Sequence, residues 1–185
     1  MSIHDEHPFA TPRELRDPVR RLRGHLPAPV TVWASAAAGR RDGWTISSVL
    51  VGEGQPAELV ALIDEDCDWW DLFRSTGTAM VNVLAQGQGR VADAFARVAP
   101  SAGGPFRTGV WTGTDVRSGA DVRTGPGSGS SYGPRLEGAA AWLGVRLVDA
   151  APPHAGWGLL VRATIESLEL ADDIEALGHR YGRYS

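Results

Sequence analysis

Lysine is absent from this 185-residue chain, whose 18 basic residues are all arginine. That absence excludes a Walker lysine, a Schiff-base lysine and a Ser–Lys nucleophile pair. Cysteine occurs once, as Cys67, so no internal disulfide can form. No apolar run reaches membrane length and no signal-peptide-like apolar segment is found, so the expectation is a cytoplasmic protein without a membrane partner. Positive charge is also in deficit: the formal net charge is −4 and the pI is near 5.7. Apart from a short run at residues 13–23 the arginines are scattered, so nucleic acid is not an expected partner. The 5 histidines show no ligand spacing with one another or with Cys67, and no metal is expected. Abundant Ala, Gly and Arg without Lys also fits a GC-rich coding bias, which leaves composition little functional weight.

What is present is enough apolar material, 43% of the chain, to bury one real core. Residues 1–10 are polar, carry His4 and His7, lack periodicity and read as a tail; residues 11–185 read as one domain. Thr11, Pro12 and Glu14 form a helix-start pattern, with Pro18 expected to kink or split the helix. Residues 30–36 and 44–51 are rich in Val, Ile, Thr and Trp and flank residues 39–43, which predicts a hairpin with a five-residue turn. Glu58–Ile63 suits a buried strand. Over residues 66–74, Trp69, Leu72 and Phe73 recur at helical spacing, with Asp66 or Asp68 as the cap. Residues 78–84 return to strand character, and Val91, Ala94, Phe95 and Val98 mark one face of a further short helix.

Residues 100–134 form a long loop, Gly/Ser-rich at 115–133, in which Phe106, Val110 and Trp111 are the main apolar groups. Two strands come after it at 138–148 and 157–170; in the second, Val161, Ala163 and Ile165 alternate with Arg162, Thr164 and Glu166. Six strands with short helices around them fit a mainly β, antiparallel barrel and not alternating β-α-β units. The seven tryptophans are expected to fill core or a subunit interface. The best literal enzyme motif is Gly129-Ser130-Ser131-Tyr132-Gly133, which spells G-x-S-x-G. It lies in a Gly-Ser-Pro loop and not between a strand and a helix, so no serine hydrolase is expected. Gly125, Gly127 and Gly129 likewise lack the flanking strand and helix of a dinucleotide fingerprint.

Five segments taken in order resemble one family. They are PVTVWAS (29–35), GWTISSV (43–49), MVNVLAQGQGRVADAFA (80–96), GPRLEGAAAWLGVRL (133–147) and HRYGRYS (179–185). Together they resemble the flavin-reductase-like domain, the FMN-binding split barrel, over residues 15–185. The resemblance implies a six-stranded antiparallel split β-barrel with short peripheral helices that works as a homodimer, with the site at the interface. It implies FMN as the cofactor, FAD as the alternative flavin, and NAD(P)H as co-substrate. Reduced flavin would then pass electrons to free flavin, a partner monooxygenase or another acceptor.

By the same resemblance, Trp44 packs on the flavin ring while Thr45, Ser47 and Ser48, on the strand that also holds Ile46, supply hydrogen bonds. Asp64, Cys67 and Trp69 occupy the strand-to-helix junction that holds ribityl and phosphate groups. Asn82, Ala85 and Gln88 form the corner beside the flavin. Two features depart from the family pattern. Asp64, Glu65, Asp66 and Asp68 place four carboxylates where a phosphate is expected. Gly156-Trp157-Gly158 stands where members often carry Gly-Asp-His; the nearest histidine, His154, is either the displaced catalytic candidate or a plain loop residue. Hydride transfer needs alignment more than an acid or a base, because the cofactor carries the chemistry. Two alternatives stay open: a split-barrel protein binding flavin, heme or deazaflavin without NAD(P)H:flavin reductase activity, and a dimeric interaction protein that has lost its cofactor.

Overall fold

The computed structural model describes residues 17–113 and 132–185. The tail, the Thr11 start pattern, most of the Gly/Ser-rich loop and Gly129 to Ser131 of the G-x-S-x-G spelling lie outside the described residues. The first helix, α1 (Pro18–His25), is capped by Asp17, whose carboxylate accepts from Val19 N–H at 2.9 Å. Pro18 takes the first helical position, where its missing N–H costs nothing. It therefore starts α1.

After β1 (Ala28–Pro29), strands β2 (Thr31–Ala37) and β3 (Arg40–Ile46) form an antiparallel hairpin with Ala37 opposite Arg40. The turn is thus Ala38-Gly39 alone, with φ of 49° and 79°. Positive φ at both positions is type I′ geometry, which matches the twist of the flanking strands. The five-residue turn expected at 39–43 is corrected accordingly: residues 40–43 belong to β3. The run expected at 44–51 also divides, because β3 ends at Ile46 and β4 (Val49–Gly52) begins after a break at Ser47-Ser48.

Next come β5 (Glu58–Ile63) and α2 (Asp68–Thr76). The expected cap by Asp66 or Asp68 does not form. Cys67 is the N-cap residue and makes no side-chain cap bond, while Asp64 Oδ1 accepts from Asp66 N–H at 3.1 Å in a local turn. Gly77 ends the helix at φ 68°, its N–H bonded to Phe73 C=O. The chain continues through β6 (Thr78–Val83), α3 (Gly89–Phe95), a 3₁₀ turn at Pro105–Arg107, β7 (Trp111–Thr112), β8 (Arg135–Leu136), β9 (Ala141–Leu147), β10 (His154–Ala155), β11 (Gly158–Leu170), β12 (Gly178–Arg180) and β13 (Arg183–Tyr184).

The main sheet has 8 strands in the order β3-β2-β6-β9-β11-β5-β4, with β10 on β11. All six expected strand runs are present; the division of 44–51 and the addition of β10 account for the larger number. Every pairing in this sheet is antiparallel. Because β3 and β4 are separated only by Ser47-Ser48 yet stand at opposite ends of the order, the sheet must curl into a half-barrel. In β11 the register shifts between Ile165 and Ser167, a bulge that bends the strand as it passes from β5 to β9.

Two buried clusters sit on either side of this curl. The first joins Trp33, Ile63, Trp69, Phe73, Val81, Val145 and Val161. Trp69 stacks on Phe73 at 4.9 Å and Trp33 meets both rings edge-on, so α2 is anchored to β2 through aromatic contact worth about 0.5–1.5 kcal/mol per pair beyond burial. The second joins Val30, Val32, Leu84, Phe95, Leu136 and Leu177, with Phe106 and Trp111 packed against it. Val110, expected to help the core, is exposed. A small sheet, β1-β12-β13, brings residue 28 beside residue 179 and fastens the two ends of the described chain together.

Candidate functional site

The break at Ser47-Ser48 is where the candidate site is built. Ile46 is buried in the first cluster, and Thr31 Oγ1 donates to its carbonyl at 2.6 Å, which fixes the end of β3. Ser48 is tied to β5: its hydroxyl donates to Leu62 C=O at 2.8 Å, and its own carbonyl accepts from Leu62 N–H at 3.2 Å. Ser47 accepts from Arg23 Nη2 at 3.5 Å. Among the described residues, the N–H groups of Ser47 and Ser48 donate to no backbone carbonyl. Both serines are half-buried. A pair of unused donors beside two hydroxyls fits the polar edge of a flavin, whose oxygens must be paired when water is removed.

The flanking expected residues have different surroundings. Trp44 is half-buried, packs against the first cluster and has the Arg97 guanidinium 5.7 Å over its ring. Thr45 turns its hydroxyl away from the break, donating to Ala92 C=O of α3 at 2.7 Å. At the junction after β5, Asp64, Glu65, Asp66 and Asp68 all project into solvent. Cys67 beneath them is 5% exposed. Burial above all pushes its thiol up to about 11; Asp64 and Asp42 push the same way, while the N–H groups of Trp70 and Trp69 oppose them. A thiol held neutral at pH 7 is neither a nucleophile nor a metal ligand. Trp69 has no solvent-exposed surface, and its indole N–H donates to Ser35 Oγ at 3.2 Å. It props α2 on β2.

The structure also brings His154 to this junction. Its Nε2 lies 3.6 Å from a Glu65 carboxylate oxygen. The β10–β11 hairpin that carries it turns through Gly156-Trp157, with Gly156 at φ 64°. Gly at the first central position of a two-residue loop is the type II′ arrangement. Trp157 projects from that turn 100% exposed.

At the expected corner, Asn82 is fully buried and bonded on every side. Its Nδ2 reaches the carbonyls of Val32, Pro134 and Met80 at 3.2, 3.3 and 3.4 Å, and its Oδ1 accepts from Leu136 N–H at 2.7 Å. Gln88 precedes α3, accepts from Ala85 N–H at 2.9 Å and donates to Glu137 C=O at 3.2 Å. Ala85 is buried and bridges to Ala176. Thus Ser47, Ser48, Trp44 and Asp64 keep free surface, whereas Ile46, at the end of β3, and Trp69 and Asn82, further away, are buried. Sequence reasoning missed Arg23 and Leu62, since both reach Ser47 or Ser48 only through tertiary contact. Among the described residues no cluster of His, Cys, Asp and Glu is suited to a metal ion.

Residues 23–185 match the family model of the flavin reductase like domain. The chain belongs to that family. It is an oxidoreductase of the flavin reductase type. Solved structures share its fold. The NADH:FAD oxidoreductase SgcE6 of Streptomyces globisporus superposes with TM-score 0.74 at 22% identity, covering 95% of this chain and 98% of its own. Nitrilotriacetate monooxygenase component B from Mycobacterium thermoresistibile gives TM-score 0.72 at 18% identity, covering 90% of this chain and 83% of its own. BorF, the flavin reductase component of a bacterial two-component tryptophan halogenase, gives 0.66 at 23% identity, with 90% and 96% covered. None of the curated proteins matches the sequence. No helix among the described residues of this flavin reductase is long and apolar enough to cross a membrane.

Proposed function

We propose that this flavin reductase binds FMN, with FAD as the alternative, reduces it with NAD(P)H, and passes electrons to a partner monooxygenase or another acceptor in the cytoplasm. The observation that carries the reading is the Ser47-Ser48 break, where two half-buried serines present unused N–H donors beside Trp44. When bound, the flavin supplies the hydride-accepting ring. Ser47 and Ser48 hold its polar edge, Trp44 offers an apolar wall, and Asp64 borders the ribityl side. Ile46, Cys67, Trp69, Asn82, Ala85 and Gln88 keep that geometry rigid from behind. Trp157 and His154 flank the side open to the nicotinamide. SgcE6 has also been solved with NAD and FAD fragments, and component B and BorF are named as parts of larger oxygenase or halogenase systems, which supports both the cofactor pair and a partner enzyme.

The working unit is a homodimer. Strand β4 is an edge of the sheet, and its Leu50 is 72% exposed; Leu62 on neighbouring β5 is 44% exposed, beside half-buried Val60 and Leu160. An exposed apolar edge next to Ser48 invites a second copy. A partner placed there would complete each flavin site.

One specific feature favours a second reading, flavin, heme or deazaflavin binding without NAD(P)H oxidation: the fully exposed Trp157 at the position where Asp-His is more usual. Titration with FMN and FAD followed by anaerobic addition of NADH or NADPH separates the two. Binding with bleaching of the flavin absorbance is expected. Binding without bleaching by either nicotinamide supports the second reading, and failure to bind either flavin refutes the first.

A further inference from the structure

Strand β3 is one end of the main sheet, so its outer edge has no strand partner. Helix α3 and the residues just after it grip four consecutive residues of this strand. The Thr45 hydroxyl donates to Ala92 C=O at 2.7 Å. Gly43 lets the Phe95 ring come so close that a Cβ on it would lie 2.9 Å from that ring. Asp42 and Trp44, which alternate with these two along the strand, are both met by one side chain from beyond the helix, that of Arg97.

Successive residues of a strand face opposite sides of the sheet. Gly43 and Thr45 therefore meet α3 on one face, while Asp42 and Trp44 belong to the other, where Trp44 packs against the first buried cluster. Arg97 thus reaches round the free edge of β3 from the helix side to the Trp44 side. Its guanidinium lies 2.8 Å from Asp42 Oδ1 and 5.7 Å from the centre of the Trp44 ring, within the range of cation–π attraction. The same Asp42 oxygen accepts from Gly43 N–H at 2.7 Å, so the carboxylate that holds the guanidinium is itself fixed to the strand.

The backbone at Arg97 is unusual. It stands two residues beyond the end of α3 at φ 58°, in the left-handed region where a helix end usually carries glycine. Val98 N–H closes the turn on Asp93 C=O at 3.2 Å, a bond that needs no side chain at position 97. Arginine is less comfortable than glycine in this conformation, and a strained residue that persists points to a use for its side chain. The Arg97 side chain also keeps 35% of its surface in solvent, so its removal opens no cavity in either core.

We propose that Arg97 is a positioning residue: anchored by Asp42 and reaching round the edge of β3, it holds the Trp44 ring still as a wall of the flavin site. This rests on the flavin-binding reading above. Arg97 touches no cofactor in this scheme. It acts through Trp44, and the left-handed turn after α3 is what brings its side chain round the edge strand.

The test titrates FMN and FAD into wild type, Arg97→Gly, Arg97→Lys, Trp44→Leu and the chain carrying both Arg97→Gly and Trp44→Leu, with thermal melts alongside. Arg97→Gly is expected to lose flavin affinity about threefold to tenfold. Its Tm should stay within about 3 °C of wild type, since glycine takes the left-handed backbone freely and a part-exposed ion pair contributes little. Arg97→Lys should recover most of the lost affinity, because it keeps the cation. In the Trp44→Leu background Arg97→Gly should change affinity no further, as expected of a residue that acts through the ring. Unchanged affinity in Arg97→Gly overturns the assignment, and so does a loss of the same size with and without Trp44. A wild type that binds neither flavin, or Trp44→Leu binding as tightly as wild type, refutes the site reading beneath the proposal and takes the proposal with it, an outcome distinct from the other two.

Discussion

Replacing Asn82 by alanine separates a buried tie from a ligand-binding amide. In the native chain Oδ1 accepts the Leu136 N–H at 2.7 Å, and Nδ2 serves three carbonyls on β2, on β6 and before β8. The Leu136 amide is the group most exposed to loss, since Asn82 Oδ1 is its acceptor and it donates to no backbone carbonyl among the described residues. A buried donor left unpaired costs about 1–3 kcal/mol. The lost donors to the carbonyls and the cavity left by the amide add about 1 kcal/mol more, because neighbouring strands relax only in part. A total of about 3 kcal/mol corresponds to a fall in Tm of roughly 6–12 °C for a chain of this size. Asn82→Asp provides a second reading of the same site. Its carboxylate oxygen would face carbonyls, so the neutral acid is favoured when folded and the folded pKa is raised. Stability of that variant is greatest below about pH 4, the ordinary Asp range, and declines as pH rises through the folded value. Thermal melts by circular dichroism at acidic and neutral pH measure both effects. If Asn82→Ala melts like wild type while its flavin affinity collapses, the amide is a ligand and the reasoning fails.

Three further outcomes rest on burial and exposure elsewhere. Cys67 should react with a disulfide reagent at mildly alkaline pH only as fast as the chain opens, and at once in denaturant; equal rates in both would contradict a thiol pushed up to about 11 by burial. Since that value lies above the ordinary 9.0, the stability contributed by the neutral thiol is complete below about pH 9 and is lost as pH climbs toward 11. Cys67→Ala should flatten that stretch of the stability profile, leaving a higher-pH loss from Tyr184, also raised by burial and by its bond to Asp93. At the sheet edge, Leu62→Arg combined with Leu50→Arg should convert the proposed dimer to a monomer in analytical ultracentrifugation with secondary structure retained; an unmoved dimer would place the interface elsewhere, and a monomeric wild type would refute the dimer.

How much of the fold and site was legible in the sequence depends on the range of the interactions involved. The strand runs stood out because β-branched and aromatic residues cluster there, and α2 because Trp69, Leu72 and Phe73 share one helical face. The Ala38-Gly39 turn did not, since nothing about an alanine signals a left-handed backbone and the polar Arg-Arg-Asp after it resembles loop. The break at Ser47-Ser48 was hidden within one continuous run of strand formers; it exists because the chain exchanges β2 for β5 as its partner, a tertiary event. Asn82 was placed at the end of a strand, but its partner Leu136 is 54 residues away, so nothing local in the sequence signalled the internal bonds that hold its side chain. Arg23 and Ser47, 24 residues apart, were likewise invisible as a pair.

The two hairpins joined at Ser47-Ser48 differ in kind from the rest of the sheet. Each of them, β2–β3 and β4–β5, closes locally, but the strands that separate them in space arrive much later in the chain: β6, β9 and β11. Neither hairpin by itself fixes the angle at their two-residue joint. Only when β11 has paired with β5 on one side and β9 on the other is that joint held at its final angle. Pairings so distant in sequence are slow to form. The angle of the joint therefore depends on pairings far apart in the chain, and a ligand bound there would act as a clasp on the completed half-barrel, slowing its unfolding.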